Sequence, residues 1–550
     1  MALGNHYAVA VVGAGPTGLI LAHLLARQGV RVVLIERGAS IVNEARAVTI
    51  DDESLRTLQA TGTLDRILPD IVQGYGVHYY SWRQSLFARI EPHSTEYGYP
   101  KRNAFRQPLL VQELAAALAG QALVELCFGH ELTDFAVEAE RVQLGIRTAE
   151  GERRLSADWL VACDGGRSMI RERLGIGMEG STYGERWLIA DLIGRRDDFR
   201  HTRTFCDPVR PAIRLPGPQK TVRYEFMLRP DERPEQVLDE TAVRDWIRLR
   251  EPADADIDIS RKVVYTFHAR VATRWRQGRV LLAGDAAHLS PPFAGQGMNS
   301  GVRDAMNLAW KLGAVTRRVA TPELLDTYEA ERKPHAWALI RMALRIGAFM
   351  QPRSRLGAAL TQGALRLACL LPAARDYILQ LRFKPKPRLS AGLFAPWKRG
   401  APVIPSGQLM TQPLVQPRGG SECLLDEVLG SGFALIRRAR VAGPASAARA
   451  AKPAQQTPVA ARGLEQMGVP FVVLDLVPGG SAFPPDEAGT SLIRDVSGEL
   501  FRVLDSAGAD AVLLRPDRYV LAYLGGDSEE DFEAARRALS AFYTGALVPQ

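Results

Sequence analysis

The chain has 550 residues, 46% of them hydrophobic and 24% charged, with a formal net charge of +8. This is an ordinary globular composition, long enough for about two to four domains, and it excludes collagen-like, disordered and disulfide-scaffold classes. Only nine of the 69 basic residues are Lys, and the Arg excess is spread without a dense run, which argues against nucleic acid as a partner and leaves a solvated surface attractive to small anions.

Cys127, Cys163, Cys206, Cys369 and Cys423 are scattered and odd in number, without metal or Cys-x-x-Cys spacing. They predict reduced thiols in a cytoplasm and no metal site. The apolar N-terminus is broken by Gly13, Gly15 and Pro16 and does not read as a signal peptide. With no uncharged apolar run of 18 residues, no membrane span is expected.

His6 to Val12 reads as an apolar strand, followed by Gly13-Ala14-Gly15-Pro16-Thr17-Gly18, a helix to about Gln28, and a second strand, Val30 to Ile35, ending on Glu36. The glycines permit a tight turn and close approach of a pyrophosphate to the helix N-terminus, and the acid suits ribose hydroxyls. That context points to an adenine dinucleotide and does not distinguish FAD from NAD. Arg37 and Arg46 come next; a lone arginine such as Arg46 is equally a surface ion-pair residue.

Between Gly74 and about Asn103, Tyr75, His78, Tyr79, Tyr80, Trp82 and Phe87 suit strands of a separate sheet. Gln107-Pro108 opens a helix with Pro near its start. Strands are expected over Ala122 to Phe128 and Glu131 to Phe135, the latter containing Leu132. The run Ala157 to Ala162 then delivers an Asp164-Gly165 turn carrying Arg167. From Tyr183 to about Val271 the chain alternates like antiparallel strands and is read with 75–103 as one domain.

Gly278 to Leu312 reads as strand, loop and helix. Val280 to Ala283 is apolar, Gly284-Asp285 ends the strand, Pro291-Pro292 forces an extended turn, and Gly295 and Gly297 precede Met298-Asn299 and an amphipathic helix. A helix N-terminus there suits a group that becomes anionic. Lys384 to Pro387 and Pro396 suggest a boundary, after which a third unit holds an Ala/Pro/Gln-rich insertion, Ala442 to Pro458, and a terminal helix from Ser528.

The Gly-rich loop, the Asp-Gly turn and the stretch from Gly278 to Leu312, in that order, resemble the FAD-dependent aromatic hydroxylases. These single-component flavoprotein monooxygenases include p-hydroxybenzoate, phenol and 3-(3-hydroxyphenyl)propionate hydroxylases. The resemblance implies an α/β fold in which a Rossmann-like FAD-binding domain of the p-hydroxybenzoate hydroxylase type (1–74, 104–180, 277–345) is interleaved with a mixed or antiparallel β-sheet substrate domain (75–103, 181–276). A helical linker (346–395) and a thioredoxin-like C-terminal α/β domain without redox cysteines (396–550) would follow, the latter a structural cap or a homodimer contact.

By the same resemblance, Gly13, Ala14, Gly15, Pro16, Thr17, Gly18, Glu36, Arg37, Arg46, Gln107, Leu132, Asp164, Gly165, Gly284, Asp285, Pro292, Gly295, Gly297, Met298 and Asn299 would contact FAD. The Pro292 carbonyl would face substrate and flavin edge, and Tyr224 or His268 could orient or deprotonate a phenol, although either is commonly a core residue. The implied reaction is NADH- or NADPH-driven, O2-dependent ring hydroxylation of a small phenol, ortho or para to its hydroxyl, through a flavin hydroperoxide. An oxygenase acting on a polyketide or non-phenolic carbon, and a non-enzymatic flavin-binding protein, remain open.

Overall fold

The computed structural model describes residues 4–439, 470–484, 491–525 and 529–543. The Ala442 to Pro458 insertion lies outside them, as does the expected helix start at Ser528; a helix is described over Glu529–Ser540.

The first sheet is built on five parallel strands in the order Val280–Leu282, Gly151–Ala162, His6–Val12, Val32–Glu36, Val124–Phe128. Parallel strands covered on both faces need continuous apolar runs, and Val9, Ala10, Val11, Val32, Val33 and Leu34 are all fully buried. The chain builds outward from His6–Val12 in one direction, then returns to its other side with Gly151–Ala162, so the order reverses between these two strands. In open α/β sheets the crevice at the carboxyl ends of strands at such a reversal is where ligands sit. The Gly-rich loop, Asp164-Gly165 and Gly284-Asp285 leave the carboxyl ends of three neighbouring strands, so motifs hundreds of residues apart converge there.

The chain leaves this sheet three times to build a second, ordered His288–Leu289, Asp258–Ala272, Met178–Ile193, Thr221–Met227, Ala212–Pro216, Thr202–Cys206, Val77–Ser81, Leu86–Ile90. All its pairings are antiparallel except that of Thr202–Cys206 with Val77–Ser81. Its two faces differ. One carries Leu188, Ala190, Phe205, Tyr224 and Phe226 beneath the helix Glu240–Arg250, and the other carries Tyr79, Thr204, Ile213 and Glu225 in one cross-strand row.

A third sheet, ordered Cys423–Leu424, Leu414–Pro417, Ser491–Asp495, Phe471–Val477, Phe433–Arg438, Ala511–Leu514, Val520–Leu524, forms the C-terminal unit with its own core. A buried ion cluster ties it to the rest. Arg515 donates two hydrogen bonds of 2.8 Å to Glu331 on the helix Asp326–Met350, and Lys311 on the helix Gly297–Thr316 donates to the same carboxylate at 2.7 Å. Asp517 balances the second cation, its Oδ2 lying 2.6 Å from Arg515. Among the described residues no single helix is long and apolar enough to cross a membrane; the pair Arg355–Ala368 and Pro372–Leu379, bent by 111°, passes by length and composition alone.

Candidate active site

The loop between Val12 and Pro16 has to turn sharply, and the glycines divide that task. Gly13 has φ +106°, and a Cβ there would stand 2.3 Å from the Cys163 carbonyl oxygen. One on Gly18 would stand 2.0 Å from the Gly13 oxygen. These two let loop, helix and neighbouring strand close on one another. Gly15 differs: a Cβ there meets nothing within 4 Å, because the residue faces a cavity.

That cavity, of about 510 Å³, runs from the Gly-rich loop to the second sheet. Gly13, Ala14, Gly15, Pro16, Thr17, Glu36, Arg37, Arg46, Gln107, Leu132, Asp164, Gly165, Asp285, Pro292, Gly295, Gly297 and Met298 all line it. Gly18, Gly284 and Asn299 do not; they stand behind the wall. Gly284, at φ +60°, packs on the Thr17 side chain, and the Asn299 amide holds the turn by donating to the Gly295 carbonyl at 2.6 Å and the Thr49 carbonyl at 3.1 Å.

The cavity's polar groups stand where a ligand would use them. Glu36 receives the amide hydrogens of Ala14 and Gly38, at 2.9 and 2.8 Å, which fixes its carboxylate at the loop. Asp164 keeps one oxygen, and Gln296 its amide oxygen, buried without a protein partner. Burial pushes the acid of Asp164 up. Asp285 is ringed by protein yet its carboxylate stands free in the cavity; burial pushes its pKa up against the pull of His288 and Arg46. The helix Gly297–Thr316 starts without a side-chain cap, so its first amides open onto the cavity with the positive end of the dipole. Beneath the Gly284-Asp285 turn, Asp304 accepts from the Gly284 amide at 3.1 Å and from Arg332 at 3.0 Å, and pairs with His288 at 2.6 Å. That buried triad fixes the turn.

At the other end the lining becomes apolar: Val77, Tyr79, Ile90, Ile213 and Leu215 from the second sheet, Phe293 from the loop, and Met342, Ile346 and Met350 from the long helix. Side-chain alternation decides which strand residues reach it. Glu225 does; Tyr224, its neighbour, faces the other way. Tyr224 is 0% exposed, its hydroxyl donates to Asp254 at 2.5 Å, and its ring stacks on Phe226. The structure thus places Tyr224, expected as a catalytic candidate, in the core on the opposite face and outside the cavity. His268 also misses the cavity. Its position opposite Thr182, near one end of the long antiparallel pair Met178–Ile193 and Asp258–Ala272, leaves it half-buried, hydrogen-bonded to the Thr182 hydroxyl at 3.0 Å and close to Arg270 and Arg167.

Reading the sequence missed Glu225, Arg102 and an acidic run, Asp51-Asp52-Glu53. Asp51 and Lys384 line the cavity, and Lys384 donates to Asp51 and Glu53, each at 3.0 Å. Burial raises the Asp52 acid to about 7, while Arg303 and Lys384 outweigh burial at Glu53 and hold it low. A charged run opening a helix was the available signal. These acids are matched by cations, and the other close group, His78, Glu91 and His201, is held by internal hydrogen bonds, with His201 Nδ1 accepting from the Gly76 amide at 2.9 Å.

Comparison with known proteins agrees with this geometry. The FAD binding domain family matches residues 6–343, and the HcaD C-terminal domain family matches residues 407–540. A 3-(3-hydroxy-phenyl)propionate/3-hydroxycinnamic acid hydroxylase of Mycolicibacterium smegmatis (strain ATCC 700084 / mc(2)155) is 38% identical over 516 residues, 93% of this chain and 89% of that protein. A protein of the same description from Escherichia coli O81 (strain ED1a) is 38% identical over 437 residues, 79% of this chain and 78% of its own length. Among solved structures, aklavinone-11 hydroxylase with FAD and aklavinone superposes with a TM-score of 0.75 at 25% identity, covering 98% of this chain and 100% of that one. The three motifs converging on one crevice and these matches agree that the chain belongs to the FAD binding domain family of flavoprotein monooxygenases, as an FAD-dependent oxidoreductase.

Proposed function

We propose that this chain hydroxylates a small phenolic ring, consuming NADH or NADPH and O2 and adding oxygen ortho or para to the existing hydroxyl. One observation carries the reading: a continuous cavity joins the dinucleotide loop to an apolar chamber on the second sheet, so cofactor and aromatic ring would share one space. When bound, FAD supplies the chemistry, accepting hydride and activating O2. The residues suit it. Gly15 leaves room for a pyrophosphate against the helix amides, Glu36 and Asp164 offer acceptors for hydroxyls, and Asp285 stands where a ribityl chain would pass. Pro292 and the helix start at Gly297 would border the ring system, the helix favouring negative charge on it. Phe293 and the methionines keep water from the reacting ring. Because relatives are named for 3-(3-hydroxyphenyl)propionate and 3-hydroxycinnamate, these two are the first substrates to try. Aerobic oxidation of NADH and NADPH across a phenol panel, with product masses, tests this: one compound must both accelerate oxidation and gain a single oxygen atom. Uncoupled oxidation with every phenol would refute it.

A second observation favours a homodimer. Leu356, Leu360, Leu367, Leu370 and Leu371, on and just after the helix Arg355–Ala368, are each between 65% and 75% exposed. Single exposed leucines are common, but a contiguous stripe marks a contact surface. Ala359, Gly363 and Ala364 sit among them, so two copies could approach closely. Arg355 and Arg366 turn back onto Trp82 and Ser85, leaving the stripe uncharged, which favours a second copy over an anionic membrane.

A further inference from the structure

Across the apolar chamber, the row Tyr79, Thr204, Ile213, Glu225 follows the strand register through three neighbouring pairs. Glu225 is 5% exposed, lines the cavity, and makes no hydrogen bond or ion pair with any described residue. Its nearest cation, Arg223, is already engaged by Asp191 at 2.6 Å and by the Arg46 carbonyl at 3.0 Å. At the other end of the row stands Arg102, close enough for its charge to act on Tyr79. It lies over the Tyr75 ring at 5.0 Å, donates one hydrogen bond of 3.3 Å to the Tyr75 hydroxyl, leaves Nε buried and unpartnered, and pairs with no described acid. The neighbouring cavity cations are taken, Lys384 by Asp51 and Glu53, and Lys101 by Glu96 at 3.8 Å.

An anion and a cation thus face one apolar chamber without meeting each other. A buried charge without a partner is unfavourable, so each end selects a ligand group of opposite need. Three inter-strand steps put the Tyr79 and Glu225 backbones roughly 14 Å apart.

Resting on the function proposed above, we propose that Arg102 and Glu225 are the residues that position a phenolic acid in this chamber, its carboxylate on Arg102 and its hydroxyl on Glu225. The planar fork of Arg102 suits a carboxylate. Glu225 accepts the phenol's hydrogen: the O–H bond breaks, its electron pair stays on oxygen and feeds the ring, and the proton passes to the Glu225 carboxylate. Electron density rises at the carbons ortho and para to that oxygen, while the oxidant remains the O2 and reduced cofactor of the overall reaction. Burial raises the Glu225 acid to about 7, with Arg223 opposing and Asp191 adding to the shift. Arg261 lies 3.3 Å from Asp191, and Asp51, Lys101, Arg102 and Lys384 line the same cavity.

The test uses FAD-loaded full-length protein, calorimetric binding of 3-(3-hydroxyphenyl)propionate, 3-phenylpropionate and 3-ethylphenol, and turnover of the two phenols. Arg102→Met is expected to weaken both acids about 10- to 100-fold and leave 3-ethylphenol unchanged, the loss of charge-assisted hydrogen bonds. Glu225→Gln is expected to leave 3-phenylpropionate binding intact, to lower kcat for both phenols at least tenfold, and to abolish a rise in kcat with pH centred near 7 in the wild type. Should either variant fold poorly, Arg102→Lys and Glu225→Asp keep the charge, displace it, and should show weaker losses of the same kind. Wild-type protein that hydroxylates these phenols, beside variants with unchanged affinity and pH profile, would overturn the pairing alone. Wild-type protein that binds and hydroxylates none of them would overturn both the pairing and the phenol reading.

Discussion

Two glycines three residues apart should respond oppositely to the same added methyl group. Gly15 has φ −74° and ψ 177°, which Ala adopts freely, and an added Cβ finds no atom within 4 Å. The fold of Gly15→Ala should therefore keep its stability or gain up to about 1 kcal/mol by restricting the unfolded chain. Its methyl, however, would project into the cavity at the helix N-terminus and hold a pyrophosphate away from the first amides. Losing about two charge-assisted hydrogen bonds at ~1.5–3 kcal/mol each would weaken FAD binding by roughly a hundredfold or more. Gly18→Ala puts a Cβ 2.0 Å from a backbone oxygen that cannot swing aside, so the helix itself must shift, at a cost of about 1–3 kcal/mol or more. Urea unfolding of the apoprotein and fluorescence titration with FAD separate the two effects. A Gly15→Ala protein that binds FAD like wild type would refute the placement of the pyrophosphate.

Glu331→Gln leaves Arg515 and Lys311 buried with Asp517 as their remaining acid, and should lower unfolding stability by about 3–5 kcal/mol, read as an earlier urea midpoint; a change under about 1 kcal/mol would show that the ion cluster does not hold the C-terminal unit. Tyr224→Phe should cost about 1 kcal/mol of stability through its lost bond to Asp254 while coupled hydroxylation continues, and His268→Ala should change kcat less than twofold; a tenfold fall in either would restore a catalytic role. Burial pushes the Cys127 and Cys206 thiols up to about 12, so at pH 8 roughly one molecule in ten thousand carries the thiolate, and iodoacetamide should label the half-buried Cys369 before either; early labelling of Cys206 would contradict its burial. Wild-type protein should sediment as a dimer at micromolar concentration, and Leu360→Glu with Leu367→Glu should be an active monomer; a monomeric wild type would dismiss the leucine stripe as the pairing face.

The cofactor end was legible because its demands fall on backbone. A turn that must approach a pyrophosphate needs glycine at fixed positions, and a strand that delivers it must be apolar throughout, so Gly13, Gly15, Asp164 and Asp285 announce themselves in a single sequence. Even there the residues fall into two kinds that spacing does not separate. Gly15 and Asp285 face the cavity, whereas Gly18, Gly284 and Asn299 serve it from behind by letting neighbouring elements close or by bonding the loop carbonyls.

The substrate end was not legible, and Tyr224 and Glu225 show the reason. On a strand, which of two adjacent residues enters the chamber depends on register with strands far away in sequence, here Ala212–Pro216 and Met178–Ile193. Tyr and His attract attention as proton carriers, but a tyrosine matched with Arg214 and Asp254 in a packed core has its needs met and little left to offer a ligand. The informative residue is the one whose needs the protein leaves unmet. Glu225 looks like an ordinary polar position in an alternating strand until the register turns it inward, away from every described donor. Arg102 likewise becomes notable only once its neighbours Lys101 and Lys384 are seen to be neutralised. Both features come from pairing across the fold, which no local pattern of residues encodes.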